Sequence, residues 1–137
     1  MKKIGLFSIC FLVLASSTFV SCKKQVAAAV EGDWVKQVIP NGVDADSAIW
    51  HFKNGILTID NLSNAALSDT GKFTVVEKNL KNYVRIEGLK NMTGSTRLNG
   101  DWQVIQYKKD MLTLAKGDES QTTGETIGTV VREFVRL

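Results

Sequence analysis

Between Gly32 and Leu137 the chain repeats one pattern eight times: a short run of alternating apolar and polar residues, then a turn signal. This rhythm constrains the fold more than any other feature. Successive side chains of a strand point to opposite faces, so alternation describes a strand with one face in a core. The runs cover residues 32–39, 47–53, 56–60, 71–77, 82–89, 101–108, 111–116 and 128–137. Ala48, Trp50 and Phe52 share one face of the second run. Phe73 and Val75 share a face of the fourth, Val84 and Ile86 of the fifth, and Leu112 and Leu114 of the seventh. Asn54-Gly55 joins the second and third runs, and this pair favours a two-residue hairpin because both residues accept positive φ. Pro40-Asn41-Gly42 stops the first run, and Lys109-Asp110 turns between the sixth and seventh. No amphipathic helix is expected in this region beyond one helical turn within residues 61–68.

Eight short strands with hairpin-length connections predict an all-β domain. The expected architecture is an eight-stranded antiparallel up-and-down barrel, which removes exposed sheet edges by closing on itself. A two-sheet β-sandwich satisfies the same pattern, and periodicity does not separate the two.

The N-terminus follows different rules. Met1-Lys2-Lys3 is followed by an apolar stretch from Ile4 to Ala15, then by Ser16-Ser17-Thr18. A charged start, about a dozen apolar residues and a small-residue exit describe a secretory signal. A membrane span needs about 20 such residues. The stretch ends in Phe19-Val20-Ser21-Cys22, which resembles the lipobox of bacterial lipoproteins; Phe19 stands where that family places an aliphatic residue. The resemblance implies cleavage after residue 21 and lipid attachment to Cys22. Several acyl chains would then hold the protein at a membrane, since each buried methylene contributes about 0.8 kcal/mol. Cys10 would leave with the signal, and Cys22 would be the sole cysteine of the mature chain. Lipidation accounts for an otherwise odd unpaired thiol in an exported protein. Lys23 follows Cys22, where an Asp would mark inner-membrane retention in this family, so the resemblance implies the outer membrane. An acidic run that would mark surface export is absent after Cys22, which favours the periplasmic leaflet.

On this reading residues 1–21 are signal, residues 22–31 are the lipidated cysteine and a tether, and residues 32–137 are the folded domain. The Ala-rich stretch 23–30 is too short to hold a helix alone. Loss of Lys2 and Lys3 leaves 15 basic against 14 acidic residues, a net charge of +1. That balance gives no electrostatic footprint for nucleic acid.

The folded domain resembles the lipocalins. Gly32-Asp33-Trp34 matches their Gly-x-Trp signature. Residues 49–57 look like a Trp-x-Phe-x-x-Gly-x-Leu hairpin found in lipocalin-like domains of Bacteroidetes lipoproteins, and Phe134-Val135-Arg136 resembles their aromatic-x-Arg ending. The resemblance implies that Trp34 closes one barrel end beside Gly32, with a late arginine across its face. Arg136 is preferred by position. Arg132 is the alternative, because both lie on the same strand face.

No catalytic motif is present. The single histidine, His51, reads as an exposed strand residue, and no second His or free Cys supplies a nucleophile–base pair or a zinc site. Asp44, Asp46, Asp118 and Glu119 read as solvated loop carboxylates. No enzyme activity, cofactor or metal is therefore expected. Two functions remain open for a monomeric, lipid-anchored envelope protein. In the first, Trp50, Phe52, Trp102 and Val104 line a cavity for a small hydrophobic ligand. In the second, the barrel is filled by its own side chains and presents loops such as 93–96 and 121–124 to a protein or glycan.

Overall fold

A computed structural model describes residues 18–38, 46–90, 98–119 and 126–137. Among the described residues one helix, α1 (Thr18–Val30), precedes eight strands: β1 (Gly32–Lys36), β2 (Ala48–Lys53), β3 (Ile56–Asn61), β4 (Asp69–Lys78), β5 (Lys81–Glu87), β6 (Gly100–Tyr107), β7 (Met111–Glu119) and β8 (Thr126–Arg136). Each strand pairs antiparallel with the next. The pairing of β1 with β8, Trp34 opposite Arg136 and Val35 opposite Val135, closes the sheet. The molecule is therefore the up-and-down barrel, and the sandwich alternative is set aside by that last ladder.

The interior follows from the alternation. Trp34, Trp50, Phe52, Leu57, Ile86, Trp102, Leu112, Leu114 and Phe134 are fully buried. Trp50 packs on Phe134 with ring centroids 5.0 Å apart, and Phe52 meets Phe73 edge-on at 5.0 Å. Asn54 and Gly55 both take positive φ, as the β2–β3 hairpin requires. A 3-10 turn, Ala65–Leu67, is capped by the Asn64 side chain accepting from the Ala66 amide.

Strand ends depart modestly from the sequence pattern. The first strand stops at Lys36, and β5 ends at Glu87 because Gly88 takes φ +79 and breaks the ladder. The fourth and seventh strands run longer than expected, because polar residues such as Asp69 and Lys78 continue ladders already begun.

One expectation is corrected. Residues 23–30, read as a tether whose Ala run is too short to hold a helix alone, form the C-terminal half of α1 and pack on the barrel, with Val26 and Val30 buried in its core. A helix this short is marginal in water. Burial of two valines, about 1.5–3 kcal/mol each, is what tertiary contact adds. The segment up to residue 17, which holds most of the expected signal, lies outside the described residues.

Antiparallel order gives the barrel two unlike ends. The tight turns 54–55, 79–80 and 108–110 share one end with α1 and the C-terminus. The connections 37–47, 62–68, 88–99 and 120–125 leave from the other. These are called the closed and open ends below.

Candidate functional site

The closed end is built around Trp34. Its indole N–H donates to the Val30 carbonyl at 2.8 Å, tying the start of β1 to the last turn of α1. Arg136 lies over the indole with its guanidinium carbon 4.2 Å from the ring centroid. The same guanidinium donates to three carbonyls: Ala29 (2.9 Å), Glu31 (3.2 Å) and Lys109 (2.7 Å). The last carbonyls of a helix have no partner within it and carry partial negative charge. A planar cation with several donors answers both needs. Gly32 completes the arrangement. It holds φ +138, and a Cβ there would sit 2.4 Å from Arg136 Nη1. The structure thus gathers Gly32, Trp34 and Arg136 at one point. Arg132, the alternative, lies deeper in the barrel, its guanidinium carbon 5.6 Å from the Trp50 ring and 5.3 Å from that of Trp102.

A second corner of the same kind sits at the open end, and sequence reasoning missed it. Gly100-Asp101-Trp102 repeats Gly32-Asp33-Trp34. The Trp102 indole donates to the Leu98 carbonyl at 2.8 Å, four residues back, as Trp34 does to Val30. Gly100 holds φ +119, and a Cβ there would meet Lys116 Nζ at 3.1 Å. That ammonium also lies 5.9 Å from the Trp102 ring centroid. Both central aspartates point outward and meet a cationic or basic side chain on the neighbouring strand. Asp33 accepts from His51 at 2.7 Å, and Asp101 accepts from Arg85 at 2.7 Å and from Lys78. The repeat of three letters was the signal available in the sequence.

Electrostatics differ between the two outer pairs. The Arg85 guanidinium holds the Asp101 carboxyl down to about 2 against the opposing effect of burial, with Lys78 assisting. The hydrogen bond to Asp33 raises the His51 imidazole above its ordinary value against partial burial, with Asp60 adding to the rise. His51 is thus half-buried on the outer wall between two carboxylates, rather than a free surface residue.

The residues expected to line a cavity are packed together. Trp50, Phe52 and Trp102 are fully buried in the core, and Val104 packs against it. Where the interior approaches the open end, Lys36 and Arg132 are buried beside Trp50, Asp69 and Asn61 around a space of about 20 Å³. That volume accepts one water rather than an organic ligand. A larger groove of about 420 Å³ lies on the outer wall, lined by Ile56, Thr70, Lys72 and Glu87, and is open to solvent.

Among the described residues no group of three or more His, Cys, Asp or Glu side chains is placed to hold a metal, and no helix is long and apolar enough to cross a membrane. Cys22 falls within α1. Asp44 and the loops 93–96 and 121–124 lie outside the described residues. Compared with known proteins, the chain matches no family model, no curated protein and no solved structure.

Proposed function

We propose that this chain is a lipid-anchored protein of the bacterial cell envelope, in the outer membrane, whose filled lipocalin-like barrel presents its open-end loops to a protein or glycan. One observation carries the choice between the two readings of the sequence. Three tryptophans and their aromatic and aliphatic neighbours occupy the interior, and the space at the mouth is about 20 Å³. Ligand cavities usually measure about 300 Å³ or more. The space at the mouth is far smaller than that, which supports the display reading over the ligand-binding one.

The anchor gives the molecule a direction. Cys22 precedes Val30 by about 12 Å of helix, and Val30 is buried against the closed end. A lipid on Cys22 would hold that end toward the bilayer and leave the longer connections facing away. The mechanism is display: a rigid barrel, set at fixed height by a packed helix, orients loops toward a partner.

Two measurements test the reading. Native mass spectrometry of the protein extracted from its own membranes should give the chain and its anchor alone; a stoichiometric small molecule in the barrel would overturn the filled-barrel reading. Photo-crosslinkers placed in living cells at Leu62 and at Lys53, on the open and closed ends, should yield a discrete adduct from Leu62 only. The same adduct from Lys53, or none from Leu62, would overturn the display of the open end.

A further inference from the structure

We propose that the closed end is itself a contact surface for anionic phospholipid, with Leu80 as its apolar tip. The inference rests on the anchor proposed above for its orientation, but its evidence is separate. Seven exposed lysines collect at this end: Lys23 and Lys24 on α1, Lys53 before the β2–β3 turn, Lys78 and Lys81 on either side of the β4–β5 turn, with Lys78 paired to Asp101, and Lys108 and Lys109 in the β6–β7 turn. Asp110 is the one carboxylate in these three turns, with Glu31, Asp33 and Glu77 nearby. The end from which the anchor would leave therefore carries more lysines than carboxylates.

Leu80 makes this charge specific for a bilayer. Among the described residues it is the most exposed large apolar side chain, at 89%. It sits at the tip of the β4–β5 hairpin between Lys78 and Lys81, with φ +62, beside Asn79 at φ +50. A two-residue turn with positive φ at both positions prefers Gly at the second, and leucine pays a steric penalty there. Neither packing nor turn chemistry asks for leucine at this position. Apolar side chains flanked by lysines enter the boundary between headgroups and acyl chains, and the lysines answer the negative surface. Nucleic acid would be served by the lysines but not by the exposed leucine.

The test uses the full chain, with its own N-terminus, on vesicles of phosphatidylcholine alone or with added phosphatidylglycerol. Flotation scores attachment, and acetylation of lysines read by mass spectrometry scores the face. Phosphatidylglycerol should slow acetylation of Lys53, Lys81, Lys108 and Lys109 several-fold and leave Lys90, at the open end, unchanged; added salt should reverse the protection. Leu80→Gly, which suits the turn, should reduce the protection at Lys81 about tenfold in affinity. Equal labelling on the two kinds of vesicle, or a Leu80→Gly footprint identical to the parent, overturns the proposal. The anchor is scored independently: a Cys22→Ala chain purified from cells that stays membrane-bound through high-salt and carbonate washes overturns the anchor alone. Chains that float with neither kind of vesicle overturn both.

Discussion

The two Gly-Asp-Trp corners solve the same problem with different strength. At the closed end, Arg136 is held by three backbone carbonyls while it covers Trp34. At the open end, Lys116 lies 5.9 Å from the Trp102 ring centroid and donates to the Asn99 carbonyl, while the Arg132 guanidinium reaches the same ring at 5.3 Å from inside the barrel. Arginine brings a rigid fork of donors, whereas lysine brings one compact charge on a flexible stem. The first corner also joins four separate elements, α1, β1, the β6–β7 turn and β8. The second lies within neighbouring strands and the segment before β6. The lesson is that one local motif, a positive-φ glycine two before a tryptophan whose indole reaches back four residues, recurs at both ends. The cation determines how much else each closure fastens.

The largest effects should break the tryptophans. Trp34→Ala and Trp102→Ala should each destabilise by about 3–5 kcal/mol in denaturant unfolding. Only Trp34→Ala should also raise amide exchange across residues 23–30, because α1 then loses its tie at Val30. Equal exchange in both variants would remove the distinction drawn between the corners.

The glycines sharpen the comparison. Gly32→Ala should cost about 2–3 kcal/mol, since its Cβ meets a guanidinium pinned on several sides. Gly100→Ala should cost about 1–2 kcal/mol, since the Lys116 ammonium can swing aside. Thermal unfolding of the pair would refute the argument if the order were reversed. Arg136→Leu should then cost about 1–2 kcal/mol, from the lost stacking and the unmet carbonyls, and Lys116→Met less than that.

The outer aspartates give opposite pH dependences. Asp101 has a depressed folded-state pKa, so its contribution is present above the unfolded carboxyl value and is lost as pH falls toward about 2. His51 has a raised one, so its contribution is present below the ordinary imidazole value and is lost as pH rises through the folded value. Melting curves of Asp101→Asn should flatten the acid limb, and those of His51→Gln the limb above neutrality. Both effects should be small because the pairs face solvent. The smallest change should be a gain. Leu80→Gly should stabilise the fold by about 1 kcal/mol by relieving the left-handed backbone.

Much of this was legible in the residues. Eight alternating runs and the Asn54-Gly55 turn announced the strands, because side-chain period and turn chemistry are local. Trp34 and Arg136 were expected together by resemblance, and the ladder between β1 and β8 places them opposite each other. The helix was not legible. Residues 23–30 lack a strong helical pattern, and their order depends on Val26 and Val30 meeting a core assembled from residues far along the chain. Trp102 was read as a cavity wall rather than a second closure, since the reach of Lys116 to it requires β6 and β7 to be paired.

The sequence by itself determined the strand count, the inward faces and the chemistry each turn would accept, for these depend on neighbours within a few residues. Only the tertiary structure decided that the sheet closes into a barrel and that three tryptophans meet inside it. It alone also decided that α1 docks at one end and that the lysines of three separate turns gather there. Those outcomes depend on which distant residues meet, and that is set by strand register and by the competition of side chains for one enclosed volume.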